Sequence, residues 1–204
     1  CEAVDAEYVG GDLDTHDEFT TASTAIGDAS DAGVVTRAGA RPGDALCVTG
    51  EWGRSAAALR LFERGDGGDD AVERANGLFR FTPRVADGLA LADRATAMMD
   101  SSDGLARSLH QLSEASGVGF ELDPDRLPVH PAVDAVAEGP AERFELAAHF
   151  GEDFELVCAV PEEAVDAARE ACPGGLTRVG RVVDAADGVT ADGDPLPDRG
   201  YTHG

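Results

Sequence analysis

Ala97-Met98-Met99-Asp100-Ser101-Ser102-Asp103-Gly104 passes from an apolar run into a small acidic loop, and residues 105–116 after it read as a helix closed by Gly117. Strand, loop and helix in that order form the arrangement in which a loop and a helix N-terminus meet an anion. Asp100 and Asp103 stand three apart at the junction, so both carboxylates can project toward one point above the strand end. Oxygen donors of this kind suit magnesium, which takes one or two carboxylates and completes its shell with waters and phosphate oxygens. Ser102 lies between them and offers a hydroxyl or a backbone N–H to a phosphate oxygen. The same letters also spell a helix N-cap, and on spacing alone the cap is the first reading. Two methionines leading into adjacent acids, however, are a costly way to build a cap and nothing else.

Working outward, Gly39-Ala40-Arg41-Pro42-Gly43-Asp44 carries a Pro-Gly turn, and Ala45-Leu46-Cys47-Val48-Thr49-Gly50 is a short buried strand ended by glycine. Residues 54–64 predict a helix with Leu59 and Phe62 on one face, and 84–96 a second helix entered through Thr82-Pro83. On the far side come Gly119-Phe120-Glu121-Leu122, a Pro-punctuated turn region, a helix near 141–148 and a strand at 154–160. A helix at 162–171, a strand around 177–183 and a hairpin-like, Gly-rich tail complete the chain. Residues 19–25, rich in threonine, read as a further strand. Helices and strands alternate without repeats, which predicts an α/β (α+β) domain with a mixed sheet packed by helices. A boundary is expected at the Pro-Gly turn, dividing the chain into 1–39 and 40–204.

Composition narrows the possibilities. Hydrophobic residues make up 43% but aromatics only 5%, so Ala, Val and Leu must fill most of the core. The formal net charge is −24, and all 16 basic residues are Arg. Self-repulsion of that size opposes compaction at ordinary ionic strength, but at molar salt the Debye length shrinks to roughly 3 Å. Acids scattered over every segment therefore point to a salt-rich cytoplasm rather than to a basic partner. With no basic patch, a nucleic-acid partner is not expected. No apolar run approaches the roughly 18 residues of a membrane helix, and no signal peptide is read. Cys47 and Cys158 lie in apolar runs, and no CxxC pair occurs, which reads as core cysteine rather than zinc or a catalytic thiol. The chain begins with Cys1 rather than Met, so a preceding portion is expected to have been trimmed, removed or lost.

Other candidates are weaker. Gly10-Gly11-Asp12 follows Tyr8-Val9 and could admit a phosphate and supply a metal-binding acid, or be a plain turn. Without a lysine it is not a P-loop. Gly151-Glu152-Asp153-Phe154-Glu155-Leu156 places three acids at the start of an otherwise apolar strand, where they are either functional or solvated. Arg37 and Arg41 flank the boundary and could hold phosphates bidentately, or be surface arginines. The five histidines form no HxxxH or triad-like grouping, which disfavours zinc and hydrolytic sites.

Taken in order, these segments resemble the thiamine-monophosphate kinase family, within the wider aminoimidazole-ribotide-synthetase-like ATP-binding fold. The landmarks are Gly10-Gly11-Asp12, Thr36 through Asp44, Val48-Thr49-Gly50, Pro83-Arg84, Met99 through Gly104 and Ala115-Ser116-Gly117-Val118-Gly119. Leu127-Pro128, Gly151 through Leu156, Val179-Gly180-Arg181 and Gly200-Tyr201-Thr202-His203 follow. The resemblance implies that Asp12, Asp100 and Asp103 bind Mg2+, that Gly11, Asp12, Arg37 and Ser102 contact ATP, and that Glu152 and Tyr201 hold thiamine monophosphate. It implies direct transfer of the γ-phosphoryl of ATP to the phosphate of that substrate, without a covalent intermediate. It further implies that residues 40–204 are the C-terminal domain of the fold, while 1–39 are a remnant of an N-terminal domain that carries further metal-binding acids, substrate contacts and the homodimer interface. This chain alone is therefore expected to be inactive. Two departures from the family pattern are Phe150, where a glycine is usual, and Arg54, where an aspartate is common.

Overall fold

The computed structural model describes residues 1–15, 17–29, 33–64 and 68–200, and their centre is one seven-stranded sheet. In chain order the elements are β1 (Ala45–Thr49), α1 (Arg54–Arg64), α2 (Gly68–Phe79), α3 (Val85–Leu91), β2 (Ala97–Ser101), α4 (Leu105–Ser116) and β3 (Gly119–Leu122). Then follow α5 (Pro131–Asp134), α6 (Pro140–Ala148), β4 (Glu155–Val160), α7 (Val165–Ala171), β5 (Leu176–Val183), β6 (Val189–Ala191) and β7 (Asp194–Pro195). The strand order is β2-β4-β1-β5-β3-β6-β7, antiparallel throughout except for the parallel pair β3–β6. The mixed, helix-packed sheet read from the sequence is thus observed, as is the hairpin tail, where Thr190 pairs with Pro195 across Asp192-Gly193.

β1 is buried along its whole length because strands flank both its edges and helices cover both its faces. Leu46 and Val48 point to one face, against Leu105, Leu109 and Leu112 of α4. Ala45 and Cys47 point to the other, where Leu91 of α3 and Val165 and Ala168 of α7 pack. Cys47 and Cys158 are cross-strand neighbours in that layer, both fully buried and reduced, which bears out their reading as core residues. Among the described residues no helix is long and apolar enough to cross a membrane.

Two expectations need correction, and one helix was not foreseen. The helix at 84–96 ends at Leu91, because Arg94 and Ala95 both return their N–H groups to the Leu91 carbonyl and Thr96 N–H is captured by Ala159 O of the sheet. α2 was not foreseen, since Gly77, Asn76, Asp69 and Asp70 are poor helix formers. Packing holds it: Ala75 is buried, and Phe79 stacks on Phe62 of α1 with ring centroids 5.9 Å apart. Residues 19–25 form no strand. A strand exists through its neighbour's hydrogen-bond ladder, and this segment is extended and open, with Phe19 97% exposed.

Candidate functional site

β2 is an edge strand whose last residues enter the acidic loop, and its register with β4 sets Asp100 across from Leu156 and Ser101 across from Glu155. The two acidic motifs, distant in sequence, are therefore neighbours in space. Their loops also bond to each other: Glu152 N–H donates to Ser102 O at 2.7 Å, and Phe154 N–H to Ser101 O at 3.2 Å. Glycines permit the close approach. A Cβ on Gly151 would strike the Ser102 carbonyl, and one on Gly104, whose φ is 106°, would lie 2.8 Å from the Phe150 carbonyl. Ser108 Oγ, 2.9 Å from Ser101 Oγ and 3.0 Å from Gly104 O, ties the first turn of α4 to the strand end.

The helix-cap reading of Ser102 and Asp103 is overturned. The N-cap of α4 is Gly104, with no side-chain cap bond. Asp103 instead accepts the Ser102 hydroxyl at 3.1 Å, and Asp100 is exposed at the mouth of the strand. Both carboxylates are thus uncommitted to secondary structure. Among the described residues no group of three His, Cys, Asp or Glu is gathered to hold a metal. What is present is a pair of hard oxygen donors at an open strand end, a set that fits magnesium when phosphate and water supply the rest of the shell.

The acids of the 151–156 loop are not simply solvated. Asp153 and Glu155 are each 2% exposed. Asp153 accepts Gly53 N–H at 2.6 Å and Ser55 N–H at 2.9 Å, so it satisfies the free donors at the start of α1 from a hundred residues away. Burial pushes its carboxyl above the usual range despite those bonds. Ser55 Oγ returns a bond to Glu152 O at 2.7 Å, and Arg54, one of the two departures from the family pattern, donates to Asp153 O at 3.3 Å. Glu155 is held by the Arg84 guanidinium and by Thr49 Oγ1 at 2.7 Å, while Thr49 in turn accepts Leu156 N–H at 2.8 Å. Between these anchors Glu152 and Phe154 adopt left-handed φ values of 67° and 53°. Such conformations cost about 1–3 kcal/mol each in a residue with a side chain, so the anchors on either side impose them. A buried glutamate inside an apolar strand requires a cation, and that was the signal by which Arg84 could have been found.

The remaining expected residues are placed as follows. Arg37 is exposed, but its backbone is fixed beside the site: its carbonyl accepts Ser116 Oγ at 2.9 Å, and the preceding Thr36 carbonyl accepts Met98 N–H of β2 at 2.9 Å. Gly11 and Asp12 lie in an exposed stretch, with Asp12 accepting the N–H of adjacent Leu13 at 2.9 Å. Glu152 is half-buried, its backbone joined to the 100–104 loop. Tyr201 lies outside the described residues.

A mixed sheet sandwiched by helices, with an acidic strand–loop–helix at its edge, defines the AIR synthase related class: residues 41–192 match the family described as "AIR synthase related protein, C-terminal domain". A thiamine-monophosphate kinase of Halobacterium salinarum is 62% identical over 203 residues, covering 100% of this chain and 67% of the relative. The chain belongs to the thiamine-monophosphate kinase family. Among solved structures, the thiamine-monophosphate kinase of Stenotrophomonas maltophilia K279a is similar with a TM-score of 0.70 and 34% identity, over 78% of this chain and 53% of that one. A structure described as "AaThiL complexed with AMPPCP and TMP" gives a TM-score of 0.71 and 29% identity, over 83% of this chain and 54% of that one. The chain thus spans between about half and two thirds of the length of these relatives.

Proposed function

We propose that this chain serves ATP-dependent phosphorylation of thiamine monophosphate to thiamine diphosphate, by direct transfer of the γ-phosphoryl to the substrate phosphate. The observation that carries the reading is the interlocking of the 100–104 and 151–155 loops, with the Asp100 and Asp103 carboxylates left uncommitted at their junction. A relative whose structure is described as holding an ATP analogue together with TMP supports it.

In this reading Asp100 and Asp103, joined by Asp12, hold Mg2+. Bound there, the ion would neutralise and align crowded phosphate oxygens. The Ser102 hydroxyl turns from Asp103 to a phosphate oxygen of ATP. Arg37, anchored through its backbone beside β2, offers a planar fork to the same anion. Gly11 and Asp12 complete the nucleotide contacts. Glu152 and Tyr201 face the thiamine phosphate, and the fixed backbone of Glu152 sets the distance between acceptor and donor. Residues 1–39 belong with the nucleotide side and 40–204 form the second domain. The complete enzyme works as a homodimer in a salt-rich cytoplasm, with neither membrane nor nucleic acid as a partner.

Calorimetric titration tests this. Binding of both magnesium-ATP and thiamine monophosphate is expected, with D100N and D103N weakening the first. Binding of ATP alone would point to another ATP-dependent enzyme of the class, and binding of neither to a noncatalytic module. Thiamine diphosphate production by this chain alone would overturn the expectation that it is inactive without further segments.

A further inference from the structure

Phe154 is an apolar residue in an unlikely place. It sits between Glu152 and the buried Glu155, its backbone is held in the left-handed region at φ 53°, and its N–H is bonded to Ser101 O at the end of β2. Its ring pairs with that of Phe81, with centroids 4.6 Å apart and the planes inclined by 32°. Neither ring is shut away: Phe81 is 40% exposed and Phe154 half-buried. The β2–β4 register carries the chain at Phe154 out of the sheet directly beside the 100–103 loop. The Phe154 backbone therefore joins the loop that carries Asp100 and Asp103, with Glu152 two residues away on its own loop.

Such a group of residues suits one kind of ligand. Open aromatic rings attract a flat cation through the negative charge of their faces, and a nearby carboxylate adds to the attraction. Phosphates at the acidic loop and a flat cationic ring on the aromatic pair would be two ends of one molecule. We propose that Phe81 and Phe154 form the platform on which the positively charged thiazolium ring of the acceptor substrate rests. On this basis they determine specificity by selecting the organic half of the substrate, while the acidic loop handles its phosphate. The inference rests on the thiamine-phosphate reading of the site and adds the residues that recognise the cation.

The test is calorimetric titration of F81L, F154L and F154Y with thiamine monophosphate, and separately with magnesium-ATP. F154L and F81L are expected to weaken thiamine monophosphate binding by about 10-fold, the size of a partly desolvated cation–π contact, with magnesium-ATP binding unchanged. F154Y, which keeps the ring, restores it. A neutral analogue, with an uncharged ring in place of the thiazolium, should bind more weakly to the unsubstituted chain and be indifferent to both leucine substitutions. Equal binding of thiamine monophosphate by both leucine variants overturns the platform while leaving the kinase reading intact. A parallel loss of magnesium-ATP binding in both also overturns it, because the rings would then only support the loop. If the unsubstituted chain binds magnesium-ATP but no thiamine monophosphate, the kinase reading falls first and the platform with it.

Discussion

The Arg84 guanidinium grips the Glu155 carboxylate with two bonds, Nε to Oε2 at 2.7 Å and Nη2 to Oε1 at 2.8 Å, and thereby fastens the start of α3 to the first residue of β4. Space for this fork is left by two glycines. A Cβ on Gly50 would collide with both partners, and one on Gly174 with Arg84 and with Asp87, whose Oδ1 accepts Gly174 N–H at 2.6 Å. The hydrogen bond it donates to Glu155 is also the main reason the guanidinium holds its proton more firmly than usual.

Removing one half of this pair should cost more than removing both. R84A strands a buried carboxylate, so urea unfolding is expected to show a loss of about 3–5 kcal/mol. The double variant R84M/E155M, apolar and similar in volume, should recover most of it. A double variant as unstable as R84A would show that the charges themselves hold the fold.

Two aspartates beside helix N-termini should behave in opposite ways. D153A removes both acceptors at the start of α1 and is expected to cost about 1–2 kcal/mol. D103A, beside a helix capped by Gly104, should change stability by less than about 0.5 kcal/mol while weakening magnesium-ATP binding. Thermal unfolding with and without the nucleotide separates the two effects.

Asp153 also makes a prediction in pH. Burial raises its carboxyl in the fold above the ordinary 3.8, so the folded chain holds this proton more tightly than the unfolded one. The contribution of Asp153 to stability is then complete below 3.8 and declines as pH rises through the elevated folded value. The stability of the native chain minus that of D153N should fall across that interval. A difference that rises instead would mean that the two N–H bonds outweigh burial.

Thiol labelling should count one reactive group. Cys1 is exposed, whereas Cys47 and Cys172 are pushed up to about 12 by burial, and Cys158 is raised by the same cause. Near neutral pH a disulfide reagent is expected to modify Cys1 quickly and the other three only after denaturation. Rapid labelling of a second cysteine would reveal local opening of the layer between the sheet and α7.

Salt should stabilise the chain. With a net charge of −24, the melting temperature is expected to climb as KCl rises from about 0.1 to 1 M, where the Debye length falls from roughly 10 to 3 Å. A flat response would remove the argument for a salt-rich interior.

What the sequence disclosed, and what it did not, follows the range of the forces involved. β1, β2 and α4 were legible because apolar runs, glycine stops and the acidic loop are local signals. α2 was not, because its stability comes from Phe79 on Phe62 and from buried Ala75 rather than from its own propensity. At the site, Asp100, Ser102 and Asp103 stood out by position, and the structure removed their competing role as a cap. Asp153 and Glu155 were legible only as acids before a strand. Their partners, Gly53, Ser55, Thr49 and Arg84, lie between 71 and 106 residues away, a distance no periodicity spans. The supposed strand at 19–25 shows the converse, since composition alone cannot supply the neighbour a strand needs.

The interlocking of the two acidic loops has one more consequence. With Gly151 seated on Ser102 and Gly104 on Phe150, neither loop can swing without dragging the other. The spacing between the Asp100–Asp103 end and the Glu152 end is therefore fixed when the chain folds. In the proposed reaction, encounter with ligands would have little left to order there, and selectivity for the length of a substrate would be set by the backbone before any substrate arrives.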